Sequence, residues 1–312
     1  MSTTFRCLCM SPAIDATVTL PCAPKGEGEI FKDVAEVENV GGKTVNVARW
    51  LALRARGMVS GSAAEVACGG LLGEDNDRPF VRELEKYGVE DCFVRVPGAT
   101  RRNEMVTWPG GSVKLNRPAF PGLKGDDIAE RVLLRISDAG RDSSAVAVAI
   151  LSGSLPPVAG ADFYAKAVEH FKSLGWRTVL DASGEAMRLG LESGPDLIKP
   201  NAEECEPLVG FVPKTRDEFL RATAMLREKA AHVIISDGGA GAWFDGEFFP
   251  APKVEVADTT AAGDTLLAEF CWRFYAEGDL AGAAAWAVAA GSAACTMPGG
   301  APPPLELVAK LR

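Results

Sequence analysis

The sequence predicts an α/β protein: a three-layer, doubly wound, mainly parallel sheet with a small second β-sheet beside it as a lid. Three observations carry this. Beyond about residue 145, short apolar runs alternate with amphipathic stretches of helical period, which is the pattern of βαβ units. Each apolar run ends in small or polar residues: Ser152-Gly153-Ser154, Asp181, Lys199 with Asn201, and Ser236 with Gly238. Two strand-rich segments with charged faces, residues 12–40 and 92–118, lie far apart in the chain and can join into a sheet of their own.

In chain order, the first helix is KTVNVARWLALRARG, with Val47, Trp50, Leu51 and Ala55 on one face. PFVRELEKYGV is a second helix, and CFVRV, EMVTW and SVKLN are strands of the lid. The run at residues 143–156 is a buried strand, and FYAKAVEHFKSLG is an amphipathic helix stopped by Gly175. WRTVLDASG, DLIKPNAEE and HVIISDGGAGAW are further strands, the second broken by Pro200. Leu266, Leu267, Phe270, Cys271 and Phe274 then recur at helical spacing. With no internal repeat or low-complexity tract, residues 1–312 read as one domain with a discontinuous lid.

Composition excludes several function classes. The formal charge is −9, which disfavours non-specific nucleic-acid binding, although a few local cations suffice for an anionic substrate. The eight cysteines form no CxxC pair, so zinc-ribbon spacing is absent. The N-terminal residues lack a secretory pattern and no window is long and apolar enough to span a membrane, so a reduced, cytoplasmic protein is expected. His170, in a helix, and His232, opening a strand, read as structural, leaving acid–base chemistry to carboxylates.

The stretch DTTAAGD, Asp258 to Asp264, places small residues at the start of a helix. Such a turn admits a ligand close to the backbone, and the free N–H groups of a helix start attract an anion. Asp264 there is a candidate functional carboxylate, though aspartate is also a common helix cap. GGKTVNVA, from Gly41, is a second glycine turn before a helix. It is not a phosphate-binding loop of the Walker type, because Val37 stands where that motif needs its first glycine. No GxGxxG follows the first strand, which argues against a dinucleotide-binding dehydrogenase.

These motifs together resemble the ribokinase-like (PfkB) carbohydrate kinases, closest to the 1-phosphofructokinase and tagatose-6-phosphate kinase branch. The resemblance runs from about residue 7 to residue 300. SPAID resembles NPAID, GGKTVNVA resembles GGKGINVA, and TRRN matches TRxN. LSGSLPP and LDASGEA are close matches, IKPNAEE fits KPNxxE, SDGGAGAW fits SxGxxGA, and DTTAAGD resembles DTxGAGD.

The resemblance implies ATP- and Mg²⁺-dependent phosphorylation of a phosphorylated ketohexose such as fructose 1-phosphate, tagatose 6-phosphate or fructose 6-phosphate. Asp264 stands at the position of the catalytic base, and Ala261, Ala262 and Gly263 at that of the anion hole. Asp15, Gly42, Asn46 and Asn103 correspond to the acceptor site, and Lys43, Arg101 and Ser152 to contacts with the phosphate already on the sugar. Lys199, Asn201, Glu204, Ser236, Gly238 and Gly241 correspond to the nucleotide side, with Asn201 and Glu204 organising magnesium and residues 290–294 lining the adenine slot. A homodimer through the lid is also implied. Arg102 reads as structural or undecided.

Three positions depart from the family pattern. Ser11 replaces Asn, Thr44 replaces Gly and is expected to crowd the sugar pocket, and Ala261 replaces Gly, which matters if that position needs a positive φ. A kinase for an unphosphorylated sugar or nucleoside, and a non-catalytic sugar-phosphate binder, are the alternatives.

Overall fold

The computed structural model describes residues 2–32, 34–57, 64–125, 127–138 and 146–312. Residues 143–145, expected to open a strand, lie outside the described residues, as does residue 33 within the expected lid. The strands are β1 (Thr3–Cys9), β2 (Ala13–Thr19), β3 (Ala35–Gly41), β4 (Ala64–Gly73), β5 (Glu90–Val96), β6 (Arg102–Trp108), β7 (Gly111–Leu115), β8 (Val146–Ser152), β9 (Arg177–Asp181), β10 (Leu197–Ile198), β11 (His232–Ser236), β12 (Gly241–Phe244) and β13 (Glu247–Pro250). The α-helices are α1 (Lys43–Arg56), α2 (Arg78–Tyr87), α3 (Ile128–Ser137), α4 (Phe163–Ser173), α5 (Gly184–Glu192), α6 (Glu206–Val209), α7 (Arg216–Arg227), α8 (Ala262–Cys271), α9 (Leu280–Ala294) and α10 (Leu305–Leu311).

Among the described residues the large sheet has the order β13-β12-β11-β10-β9-β8-β1-β4-β5. It is parallel from β5 to β11, with β12 and β13 antiparallel at one edge. The period-two alternation of β1 explains the layering. Phe5, Cys7 and Cys9 join the apolar core under α1, α2, α8, α9 and α10, while Leu8 joins the opposite core under α3 to α7. A strand buried on both faces has no polar side, which is why β8, β9 and β11 read as apolar runs. No helix of the described residues is long and apolar enough to cross a membrane.

The small sheet has the order β3-β2-β6-β7. Its centre is the parallel pair β2–β6, which sets Asp15 beside Asn103. The strand CFVRV, expected in this lid, is instead part of β5 at the edge of the large sheet. Its residues alternate between the two cores, Phe93 into one and Cys92 and Val94 into the other, so it is covered on both sides. Arg95, which gave it a charged appearance, is held by Asp91 and Asp77.

Parallel strands carry their C-terminal ends to one edge, and there β8 delivers Ser152 and β9 delivers Asp181. The turn after β10 adds Lys199 and Asn201, and the starts of α1 and α8 point to the same edge. The small sheet hangs over it through β2 and β3, which lead directly into the Gly41-Gly42 turn.

Candidate active site

The turn before α8 is shaped by Asp258. Its Oδ1 accepts from the Thr260 N–H at 2.9 Å and hydroxyl at 2.8 Å, and its Oδ2 accepts from the Gly299 N–H at 3.0 Å. The chain then passes through Ala261 at φ 64°, ψ 5°, in the left-handed region. The position does require a positive φ, so the alanine carries a strain of about 1–2 kcal/mol that glycine would not. The Ala262 N–H is spent inside the turn on the Thr259 carbonyl at 3.3 Å. Among the described residues the N–H groups of Ala261, Gly263 and Asp264 find no acceptor. The bare face of Gly263 lies toward Lys199: a Cβ there would stand 3.5 Å from the Lys199 Nζ.

Asp264 is only 6% exposed. Burial, reinforced by the nearby Asp181 carboxylate, pushes its pKa up to about 6; the Asn46 amide, which donates Nδ2 to Oδ2 at 2.7 Å, and the ammonium groups of Lys43 and Lys199 hold it from rising further. A carboxylate poised there is ionised at neutral pH yet basic enough to take a proton from an alcohol.

Asp181 organises the cations. It is fully buried, with Lys199 Nζ at 3.2 Å and Lys43 Nζ at 3.4 Å from Oδ1, and the Ser152 hydroxyl donating to Oδ2 at 2.9 Å. Burial alone would raise its pKa, but the two ammoniums and the hydroxyl outweigh this and hold it below the usual carboxylate range. Lys43 is the mirror case: burial lowers its pKa, and Asp181, Asp264 and Glu204 more than restore it, so it stays charged. The edge therefore holds two ammonium groups around one firmly ionised carboxylate, with the Gly263 turn beside them. With Asp264 the charges balance, so it is the open N–H groups of the turn that offer an anion its contacts.

Several sequence expectations are sharpened here. Thr44 does not crowd the pocket; its side chain is fully buried, and its hydroxyl lies 2.8 Å from the Leu8 carbonyl and 2.9 Å from that of Ser152. It ties α1 to the ends of β1 and β8. The Ser152 hydroxyl is engaged with Asp181 rather than standing free. Arg101 spends its guanidinium on backbone carbonyls of Pro12, Arg117 and Ser11, at 3.3, 3.0 and 3.0 Å. Arg102 joins a surface network with Glu36, Glu38 and Glu104.

On the small sheet, Asn103 Nδ2 donates to Asp15 Oδ1 at 2.9 Å, and Asn103 Oδ1 accepts from the Arg117 N–H at 3.1 Å. The other Asp15 oxygen rests against the bare face of Gly41, where any Cβ would overlap it. Gly42, at φ 130°, then turns the chain into α1. A small recess between the sheet and the α8 turn is lined by Asp15, Asn39, Asn103, Lys114, Asp258 and Thr260. Lys114 is a cation that the sequence reading did not single out.

A cavity of about 840 Å³ has Asn201, Ser236, Gly238 and Gly241, the residues expected on the nucleotide side, on its wall. Ala262 and Gly263 also line it, as do Gly291 and Ser292 of α9, so the cavity runs up to the turn before Asp264. Gly241, at φ 139°, admits no side chain because the Phe249 carbonyl occupies the space. Asn201 and Glu204 lock each other: the Asn201 N–H donates to Glu204 Oε2 at 2.9 Å, and the Glu204 N–H to Asn201 Oδ1 at 2.7 Å. This leaves Glu204 Oε1 available, and among the described residues no three His, Cys, Asp or Glu groups form a metal cage. Such a donor set fits Mg²⁺, which keeps several waters and binds few protein carboxylates beside a nucleotide's phosphates.

Residues 10–306 match the model of the pfkB family carbohydrate kinases. The chain belongs to that family. It is thus a phosphotransferase that acts on a carbohydrate hydroxyl. A 1-phosphofructokinase of Vibrio cholerae is 31% identical over 270 residues, covering 84% of this chain and 80% of the relative. The crystal structure of phosphofructokinase-2 from Escherichia coli in complex with substrates and products superposes with a TM-score of 0.84 at 24% identity, over 99% of this chain and 98% of that one. Ribokinase from Thermotoga maritima does so at 0.75 and 20%, over 99% and 98%. These two likenesses establish the ribokinase-like fold of this PfkB kinase.

Two buried polar residues at the site were not identified as site residues from the sequence. Asp181 was noted only as a polar strand end, although such an end, aligned with three others, was the available signal. Arg49, which contacts Asn46, sits on the buried face of α1 among apolar neighbours and gave no signal beyond being a charge in an apolar stripe.

Proposed function

We propose that this PfkB kinase transfers the γ-phosphoryl group of ATP to a hydroxyl of a phosphorylated ketohexose, with fructose 1-phosphate the first acceptor to test. The observation that carries this reading is Asp264: a buried carboxylate of pKa about 6, beside a turn with open N–H groups, at the end of a nucleotide-sized cavity. In this reading Asp264 takes the proton from the acceptor hydroxyl as it attacks. The Gly263 and Asp264 N–H groups, with Lys199 and Lys43, stabilise charge on the transferring group, which is most of what phosphoryl transfer asks of a protein. Asp15 and Asn103 orient the acceptor's other hydroxyls, and Lys114, in the same recess, supplies a cation for the phosphate it already carries. Asn201 and Glu204 would hold Mg²⁺, which neutralises phosphate charge on the nucleotide. The curated relative's name, a 1-phosphofructokinase, supports the choice of acceptor.

Coupled ADP release across fructose 1-phosphate, fructose 6-phosphate and tagatose 6-phosphate, with Asp264→Asn alongside, tests the proposal. Loss of turnover in the variant is expected; equal turnover removes the base assignment. One observation favours a second reading, an unphosphorylated acceptor: Arg101 is committed to three carbonyls. Turnover of fructose exceeding that of every sugar phosphate would select it.

A further inference from the structure

Arg49 lies one turn beyond Asn46 on α1, and its side chain is only 6% exposed. Nη1 donates to Glu83 Oε1 on α2 at 2.9 Å. Nη2 donates to Asn46 Oδ1 and lies 3.5 Å from the Gly300 carbonyl. Among the described residues Nε has no partner at all. Burying a guanidinium with an unsatisfied N–H is costly, and an apolar side chain would pack this helix face at less expense. The residue therefore calls for a reason other than stability.

We infer that Arg49 is a positioning residue for phosphoryl transfer, acting through the Asn46 amide on Asp264. This rests on Asp264 being the base. An asparagine amide has an accepting end and a donating end, and Arg can only donate. Arg49 therefore holds the Asn46 oxygen, and the Asn46 Nδ2 must face the other way, onto Asp264 Oδ2. An ionised carboxylate can only accept, so this orientation supports the charged, proton-taking form of the base. If the amide turned over, its oxygen would oppose the carboxylate. The same guanidinium reaches Gly300, whose bare face packs on Ala261, so one side chain braces both the base and the turn before it.

The test is steady-state kinetics of Arg49→Lys and Arg49→Gln, each alone and with Asn46→Ala, from pH 5 to 9. Mg-ATP is the donor, the acceptor is the one of the three sugar phosphates with the highest turnover, and Asp264→Asn is run in parallel. Folding is checked by melting curves. Displacement of a catalytic group by a fraction of a bond costs up to roughly a hundredfold, so kcat is expected to fall by about ten- to a hundredfold. The KM for ATP should stay within about twofold, because the nucleotide contacts are untouched. The acid limb of the kcat profile should move to higher pH even in Arg49→Lys, which keeps the charge, because Asp264 loses a donor that favours its ionised form. In the Asn46→Ala background the Arg49 substitutions should add nothing further.

A folded Arg49→Lys with full kcat and an unmoved acid limb overturns the inference, as do losses that multiply with Asn46→Ala. If Arg49→Gln does not fold, Glu83→Gln replaces it. That variant leaves Arg49 in place, and a loss from it as large as that of Arg49→Lys would mean that Arg49 merely joins two helices. Full turnover in Asp264→Asn overturns the base assignment itself, whereas an inactive Asp264→Asn beside unaffected Arg49 variants overturns only the present inference.

Discussion

Replacing Asp264 by Asn should make the protein more stable while removing its activity. The carboxyl pKa rises from 3.8 to about 6 on folding. The folded state therefore binds the proton more tightly than the unfolded chain, and stability falls as pH rises through that window. That rise in pKa corresponds to about 3 kcal/mol lost at pH 8, and about half of that is already lost at pH 5. Asparagine keeps an oxygen to accept the Asn46 Nδ2 and carries no charge to bury. The variant should then exceed the wild type by about 1–2 kcal/mol at pH 5 and about 3 kcal/mol at pH 8. In a chain of 312 residues the larger figure is a rise in melting temperature of roughly 5 °C. Melting curves of both proteins from pH 5 to 8 measure the difference. A gap that does not widen with pH, or a variant less stable at pH 8, would refute the claim that this carboxylate is ionised against a burial cost.

Other outcomes follow from the same geometry. The acid limb of kcat/KM should fall near pH 6, read by coupled ADP release; a limb below pH 5 would mean that Asp264 is not the group that must lose its proton. Ala261→Gly removes a left-handed alanine and should stabilise the fold by about 1 kcal/mol in thermal unfolding; a loss would contradict the positive φ. Thr44→Val keeps the shape but removes the one hydroxyl hydrogen shared between two carbonyls, and should cost about 1–3 kcal/mol in denaturant unfolding with KM for the acceptor unchanged. A raised KM without lost stability would instead put Thr44 in the pocket wall.

How far the sequence foretold this molecule depended on what each residue had to do. The strands β8, β9 and β11 were legible because Val148, Ile150, Val179 and Ile234 are branched and continuous. β1 and β4, interior strands near the β5 edge of the same sheet, were not, because Arg6 interrupts one and Gly69 and Gly70 the other. Those glycines reflect tight strand contact: a Cβ on Gly70 would overlap the Cys9 carbonyl, a demand that only the neighbouring strand reveals. At the site, Asp264 was legible because a small-residue turn before a helix has a chemical meaning of its own. Thr44 misled because its branching was visible and its direction was not. Arg49 and Asp181 were overlooked because a buried polar residue looks, in sequence, like any other interruption of an apolar run. Their meaning lies largely in contacts made far along the chain, as Arg49's partner Asn46 touches Asp264 and Asp181 meets Lys43.

The parallel pairing of β2 with β6 has a consequence for how the molecule is made. Residues 13–19 must meet residues 102–108, so no local hairpin can seed the centre of the small sheet. The intervening chain contains β4 and β5 of the large sheet and α2 packed on it, which carry the two partners into range only once they have docked. The acceptor cover should accordingly be the last part to form and the first to open, and its amides at Ala16 and Val18 should exchange with deuterium well before those of β1 and β8. Uniform protection across both sheets would show instead that the whole chain locks together in a single event.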